Sequence, residues 1–242
     1  MIAAIDIGNS FIKWKLWSAQ GDAISSGRVA HDEVLDKLVA YLKQYPLGTL
    51  ALCNVAEHAI ASRLQQAFSS CEVINFKSSA YCLGVSNAYT QPERLGADRF
   101  LAVLEAYHCA GGKPACVVDL GTAVTLDVVD ETGQHQGGYI VPGFALMADA
   151  LQQSTEQIIV GDNSVALGYG KNTTQAVKNG ISGLLASWIN QELEMFQTKY
   201  SQGIIYLTGG DAEKILPLLT IKNINVYQDL LLDGLLRLAM NP

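Results

Sequence analysis

The stretch Ile2-Ala3-Ala4-Ile5-Asp6-Ile7-Gly8-Asn9-Ser10 has an echo at Val117-Val118-Asp119-Leu120-Gly121-Thr122-Ala123, and the pair decides the fold. Each copy is an apolar run, an Asp, one more apolar residue, a Gly and a small polar residue. Residues 2–7 read as a buried central strand. Gly8-Asn9 signals a turn. Residues 11–17 then alternate, with Phe11, Lys13 and Lys15 set between Ile12, Trp14 and Leu16, so the two segments form a hairpin. Asp119 follows Asp6 by 113 positions in a chain of 242 residues. That spacing predicts a duplicated α/β domain, residues 1–114 and 115–242, rather than a single sheet.

Outward from these hairpins, helical periodicity predicts helices over 31–45, 60–68, 98–110, 144–153, 174–199, 212–219 and 230–240. Short apolar runs predict strands over 25–29, 49–55, 73–76, 115–119, 125–129 and 204–207. Residues 91–96 read as a loop. The run Gly137-Gly138-Tyr139-Ile140-Val141-Pro142-Gly143 reads as a substrate wall or as a tight turn into a helix.

Apolar residues make up 49% of the chain and charged residues 16%, which excludes disorder, collagen and coiled coil. The formal net charge is −7, without a run of basic residues, so a nucleic-acid surface is not expected. Anions must then be held locally, by backbone N–H groups, helix N-termini or single basic side chains. The five cysteines are odd in number and lack C-x-x-C spacing, which favours a reducing compartment. Without a signal-peptide pattern or a long apolar run, a soluble cytoplasmic protein away from membranes is expected.

Four segments carry candidate chemistry. In the first hairpin, Gly8 permits close approach of a ligand, Asn9 and Ser10 offer donors, Asp6 suits a divalent cation and Lys13 a phosphate. Read alone, this is an ordinary hairpin whose Asp caps its own turn. With Asp119, Gly121, Thr122 and Thr125 repeating the pattern, a pair of loops bracketing a nucleotide's phosphates becomes the better reading. Gly209-Gly210-Asp211, between a strand and a helix, lets a flat ring lie against backbone. Neither G-x-x-x-x-G-K-[ST] nor G-x-G-x-x-G occurs, which excludes a P-loop and argues against a Rossmann dinucleotide site. Gly96-Ala97-Asp98-Arg99 is the catalytic candidate: Asp98 as proton acceptor, Arg99 as carboxylate or phosphate binder. On spacing alone, an N-capping Asp beside a solvated Arg is the commoner meaning of such a segment. His31, His58, His108 and His135 lack metal-ligand spacing.

These segments in this order, with Gly170-Lys171-Asn172-Thr173 and Leu207-Thr208-Gly209-Gly210-Asp211, resemble the type III pantothenate kinases. That family belongs to the superfamily of acetate and sugar kinases, heat-shock chaperones and actin. The resemblance implies two tandem actin-like (ribonuclease H-like) domains, each a mixed sheet flanked by helices. It implies ATP-dependent phosphorylation of pantothenate to 4′-phosphopantothenate, the first step of coenzyme A biosynthesis, by a homodimer. It implies that Asp6, Gly8, Asn9, Ser10, Lys13, Thr122, Gly209 and Gly210 contact ATP. Asp6 would hold Mg²⁺, directly or through water, and Asp119 a monovalent cation, K⁺ or NH₄⁺. Asp98 would be the general base. Tyr89, Gly96, Ala97, Asp98 and Arg99 would form the pantothenate site, completed from the neighbouring subunit by Thr173 or the adjacent Thr174. Two other readings stand beside it: a nonenzymatic actin-like nucleotide-binding regulator of a partner protein or of transcription, and a sugar kinase of the same superfamily.

Overall fold

The structure is a computed structural model, and it describes residues 1–8, 11–30, 35–55, 58–154 and 165–241. Asn9 and Ser10 lie outside the described residues, as does the start of the helix expected from residue 31. The chain divides into two compact units, one of Met1–Glu105 with Asp229–Pro242, the other Ala106–Gln228.

The first unit is built on β1 (Ile2–Ile7), β2 (Phe11–Trp17), β3 (Ala23–Ala30), β4 (Thr49–Asn54) and β5 (Glu72–Phe76), in the order β3-β2-β1-β4-β5. The hairpin strands run antiparallel, and β1, β4 and β5 run parallel. All six residues of β1 are buried, as expected of a central strand covered on both faces. Ile5, Ile7, Ile12, Leu16, Leu50 and Leu52 form one core with α1 (Leu35–Leu42) and α2 (His58–Ala67). A short hairpin, β6 (Tyr81–Cys82) and β7 (Val85–Ser86), then leads into α3 (Ala97–Cys109).

The second unit repeats the plan with β8 (Ala115–Leu120), β9 (Ala123–Val129), β10 (His135–Pro142), β11 (Ile204–Thr208) and β12 (Ile224–Val226), ordered β10-β9-β8-β11-β12. Its helices are α4 (Phe144–Ser154), α5 (Thr173–Lys199) and the single turn α6 (Ala212–Ile215). Val118, Leu120, Leu126 and Leu207 pack against Phe144, Leu185 and Ile189.

Four expectations change. The glycine-rich run at 137–143 is not a tight turn but most of β10, paired along β9; its apolar residues were legible, but its glycines hid the alternation. Strand β12 and the β6–β7 hairpin were too short for a period to show. The helix expected over 212–219 tightens into a 3₁₀ turn at Leu216–Leu218, where Pro217 cannot donate its missing N–H. The tandem split at 114/115 also differs from the observed division, because α7 (Leu230–Met240) packs on β1 and β4 of the first unit. Gly234 lets α7 approach α3 there: a Cβ would lie 3.1 Å from the Leu101 carbonyl oxygen. Arg237 then grips the buried Glu105 bidentately, at 2.6 and 2.9 Å.

Candidate active site

Asp6, next to last in β1, lies on the face opposite Ile5 and Ile7 and is only 8% exposed. The pairing registers set Arg28, Lys13, Asp6, Cys53 and Phe76 in one row across the sheet, on one face. Burial, then the Asp6 and Asp98 carboxylates, pushes the Cys53 thiol well above its ordinary pKa, so Cys53 stays neutral between two acids. The Gly8 N–H donates to the Phe11 carbonyl at 3.1 Å and closes the loop.

Asp98 does not cap α3; the helix begins at Ala97, and Asp98 sits in its first turn, near the positive end of the dipole. Its Oδ1 accepts the Arg99 N–H at 2.8 Å. The carboxylate folds back over Gly96, where a Cβ would fall 2.5 Å from Oδ1, and this explains why the motif begins with glycine. Arg99, read on spacing alone as solvated, is 7% exposed. Its Nη1 donates to the Tyr89 hydroxyl at 3.0 Å. Tyr89 is placed in turn by Asn87, which sequence reasoning missed. The Asn87 Oδ1 accepts the Tyr89 N–H at 3.0 Å, and its Nδ2 reaches the Ser79 and Pro92 carbonyls. An isolated Asn gives no periodic signal. The nearest clue is the tight β6–β7 turn, with Leu83 at φ 44° and Gly84 at φ 85°.

In the second unit three loops meet at the half-buried Asp119, at the end of β8. The Gly121 N–H donates to the Ala123 carbonyl at 3.0 Å. The Gly143 N–H donates to the Thr122 carbonyl at 2.9 Å, and Gly143 lies so close to the Gly121 and Thr122 carbonyls that no side chain fits. Gly209, at φ +93°, packs against Asp119 Oδ1 and the Leu120 backbone. The Asp211 N–H donates to the Leu120 carbonyl at 3.0 Å. Gly210 and Thr122 are exposed beside this junction. A carboxylate among carbonyl oxygens is the donor chemistry of a hard cation. Among the described residues, no cluster of three or more His, Cys, Asp or Glu side chains suits a metal ion.

Thr173 opens α5, capped by Asn172, whose side chain accepts the Gln175 N–H at 2.9 Å, while Gln175 Oε1 accepts the Lys171 N–H at 3.0 Å. Thr173, and not Thr174, lines an apolar cavity of about 780 Å³ between α4 and α5, with Leu146, Met147, Leu151, Val177 and Leu184. His135 is buried and bonded to Asp127 at 3.0 Å, a core role.

Residues 2–194 match the sequence model of a family described as type III pantothenate kinase. The chain belongs to the type III pantothenate kinase family. It is 37% identical over 247 residues to the type III pantothenate kinase of Ectopseudomonas mendocina, covering 97% of each chain. It is 30% identical to that of Alcanivorax borkumensis, covering 99% of this chain and 98% of the other. Two solved structures share the fold. A proposed 2-dehydro-3-deoxygalactonokinase from Sinorhizobium meliloti has TM-score 0.66 at 12% identity, with 100% and 98% covered. A ROK family glucokinase from Streptomyces griseus has TM-score 0.57 at 12% identity, with 100% and 99% covered. The two-unit α/β architecture of this type III pantothenate kinase family member is thus also that of sugar kinases.

Proposed function

We propose that the chain transfers the γ-phosphoryl group of ATP to the primary hydroxyl of pantothenate, giving 4′-phosphopantothenate and ADP, at the entry to coenzyme A biosynthesis. The observation that carries this reading is the Gly96–Arg99 turn: a carboxylate held over glycine at a helix start, beside a buried guanidinium locked by Tyr89.

Phosphoryl transfer asks a protein for positioning and charge compensation more than for covalent help. The hydroxyl oxygen of pantothenate attacks the γ-phosphorus while the bond to the ADP oxygen breaks, and Asp98 takes the hydroxyl proton. Arg99 and Tyr89 bind the substrate, with the Arg99 fork suited to pantothenate's carboxylate. Gly96 and Ala97 shape the floor beneath it. Asp6, Gly8, Asn9, Ser10 and Lys13 contact the phosphates of ATP, Thr122 contacts ATP from the second loop, and the adenosine ring lies against Gly209 and Gly210. Asp6 would hold Mg²⁺, and Asp119 with its neighbouring carbonyls a monovalent cation, K⁺ or NH₄⁺; both supply positive charge against the phosphates. A second copy of the chain covers the α4–α5 cavity, so Thr173 serves the partner's pantothenate pocket in a homodimer. The five free cysteines suit a cytoplasmic protein. Among the described residues no helix is long and apolar enough to cross a membrane.

The test is ADP release by the purified protein with pantothenate, with and without K⁺ or NH₄⁺, against a panel of sugars. Pantothenate-dependent release supports the reading. ATP binding without turnover of any substrate favours the regulator, and release with a sugar alone favours a sugar kinase.

A further inference from the structure

We propose that Arg28, on β3, is a second cationic contact for the phosphate chain of ATP, working beside Lys13 and presented by Phe11. This rests on the kinase reading above and adds a residue that neither the hairpin motif nor the acceptor motif contains.

The β2–β3 ladder sets Arg28 directly opposite Lys13, and the β1–β2 ladder sets Lys13 opposite Asp6. The three side chains therefore leave the sheet side by side on one face. Arg28 also leans toward the first residue of β2. Its guanidinium carbon lies 3.6 Å from the centroid of the Phe11 ring, and Phe11 is the residue with which β2 begins. Phe11 pairs with Ala30, so the stack is a diagonal cross-strand contact of the kind that long and aromatic side chains make. A guanidinium stacked on a ring keeps its edge donors pointing outward in a fixed fork, matched to phosphate oxygens.

The charge arrangement points the same way. Two cations directly opposite on neighbouring strands repel. Among the described residues neither Lys13 nor Arg28 has a carboxylate within ion-pair distance. A polyanion lying along the row relieves both at once. A charge serving only to guard the edge strand β3 against pairing would need neither the aromatic platform nor a place beside Lys13. The strand beneath is tightly held, since Gly27 lies flat on the Trp14 ring, where a Cβ would come within 2.8 Å.

The experiment uses the full chain and compares Arg28→Gln, Phe11→Leu and wild type. It reads the Kd for the ATP analogue AMPPNP, the Kd for AMP, and the KM values for ATP and pantothenate. For Arg28→Gln, the AMPPNP Kd and the KM for ATP rise about tenfold, the scale of one lost charge-assisted hydrogen bond. AMP binding and the KM for pantothenate stay within about twofold. Phe11→Leu gives a smaller rise, about threefold, because the guanidinium remains but loses its platform. Arg28→Gln protein with wild-type affinity for AMPPNP overturns the Arg28 assignment alone. Wild-type protein that neither binds AMPPNP nor releases ADP with pantothenate overturns the kinase reading and this one with it. An equal loss for AMP and AMPPNP also overturns it, because the contact would then not be to the β- and γ-phosphates.

Discussion

In the first unit the register row through the motif carboxylate holds Arg28, Lys13, Asp6, Cys53 and Phe76; in the second, the matching row through Asp119 holds Ile140, Thr125 and Thr208. The strand order is the same, and so is the Asp-x-Gly at the end of the central strand. Two cations stand in one row and none in the other. Two positions further along, Lys15 reaches Asp229 and Asp233 in the first unit, while Asp127 meets His135 in the second. The loops differ as well: three residues separate β1 from β2, and two separate β8 from β9. A duplicated frame has thus been given two electrostatic solutions. The first unit sets two cationic side chains beside its motif carboxylate. The second packs its loops so closely that Gly143 admits no substituent against the Gly121 and Thr122 carbonyls, nor Gly209 against Asp119 and Leu120.

The largest effect should come from Asp98, the carboxylate folded back over Gly96 at the start of α3 in the first unit. Asp98→Asn lowers kcat by about a hundredfold or more, the scale of general-base loss, with the KM for pantothenate nearly kept. Steady-state kinetics of the folded variant decide it, and a near-normal kcat removes Asp98 from that role. The backbone half of the comparison is broken next. Gly209→Ala forces a Cβ onto Asp119 and Leu120 at φ +93°, costing about 3 kcal/mol from strain and overlap. The Tm should fall by about 8 °C. Gly8→Ala, whose Cβ would sit 3.3 Å from the Phe11 carbonyl, should cost less than about 1 kcal/mol. Equal losses in thermal melts would show that the two loops are not built differently.

The cation row is probed by Lys13→Gln, which should raise the KM for ATP about tenfold, whereas Thr125→Val changes it less than about twofold. The smallest effect concerns Lys15. Burial draws its pKa down, but the hydrogen bonds it donates to Asp229 and Asp233 outweigh this and leave it raised above 10.5. The charged form is therefore favoured in the folded state, so its stabilisation is complete below pH 10.5 and lost as pH rises through the raised pKa. Lys15→Met should cost about 1 kcal/mol at neutral pH. The Tm difference from wild type should hold constant up to about pH 10 and close above it. A difference independent of pH would assign the loss to packing against Trp17 instead.

Much of this was legible because it is local. β1, β2, β4, β8 and β9 declare themselves through apolar runs and alternation, and α5 through a long helical period ended near Tyr200. Repetition of Asp6-Ile7-Gly8 as Asp119-Leu120-Gly121 announced the duplication before any pairing was known. What escaped is relational. β10 breaks its own alternation with Gly137 and Gly138 and is a strand only because β9 supplies a partner ladder. Asn87 matters because Tyr89, Ser79 and Pro92 converge on it.

By itself the sequence determined the two Asp-x-Gly hairpins, the Gly-Ala-Asp-Arg turn and the strongly periodic helices. Each depends on neighbours within a few residues and on the fixed periods of helix and strand. Only the tertiary structure decided that α7 belongs with β1 and β4, that Arg99 is buried under Tyr89, and that Arg28 stands beside Lys13 and Asp6. Pairing register and helix docking are set by burial shared between segments far apart in the chain, and no local period records them.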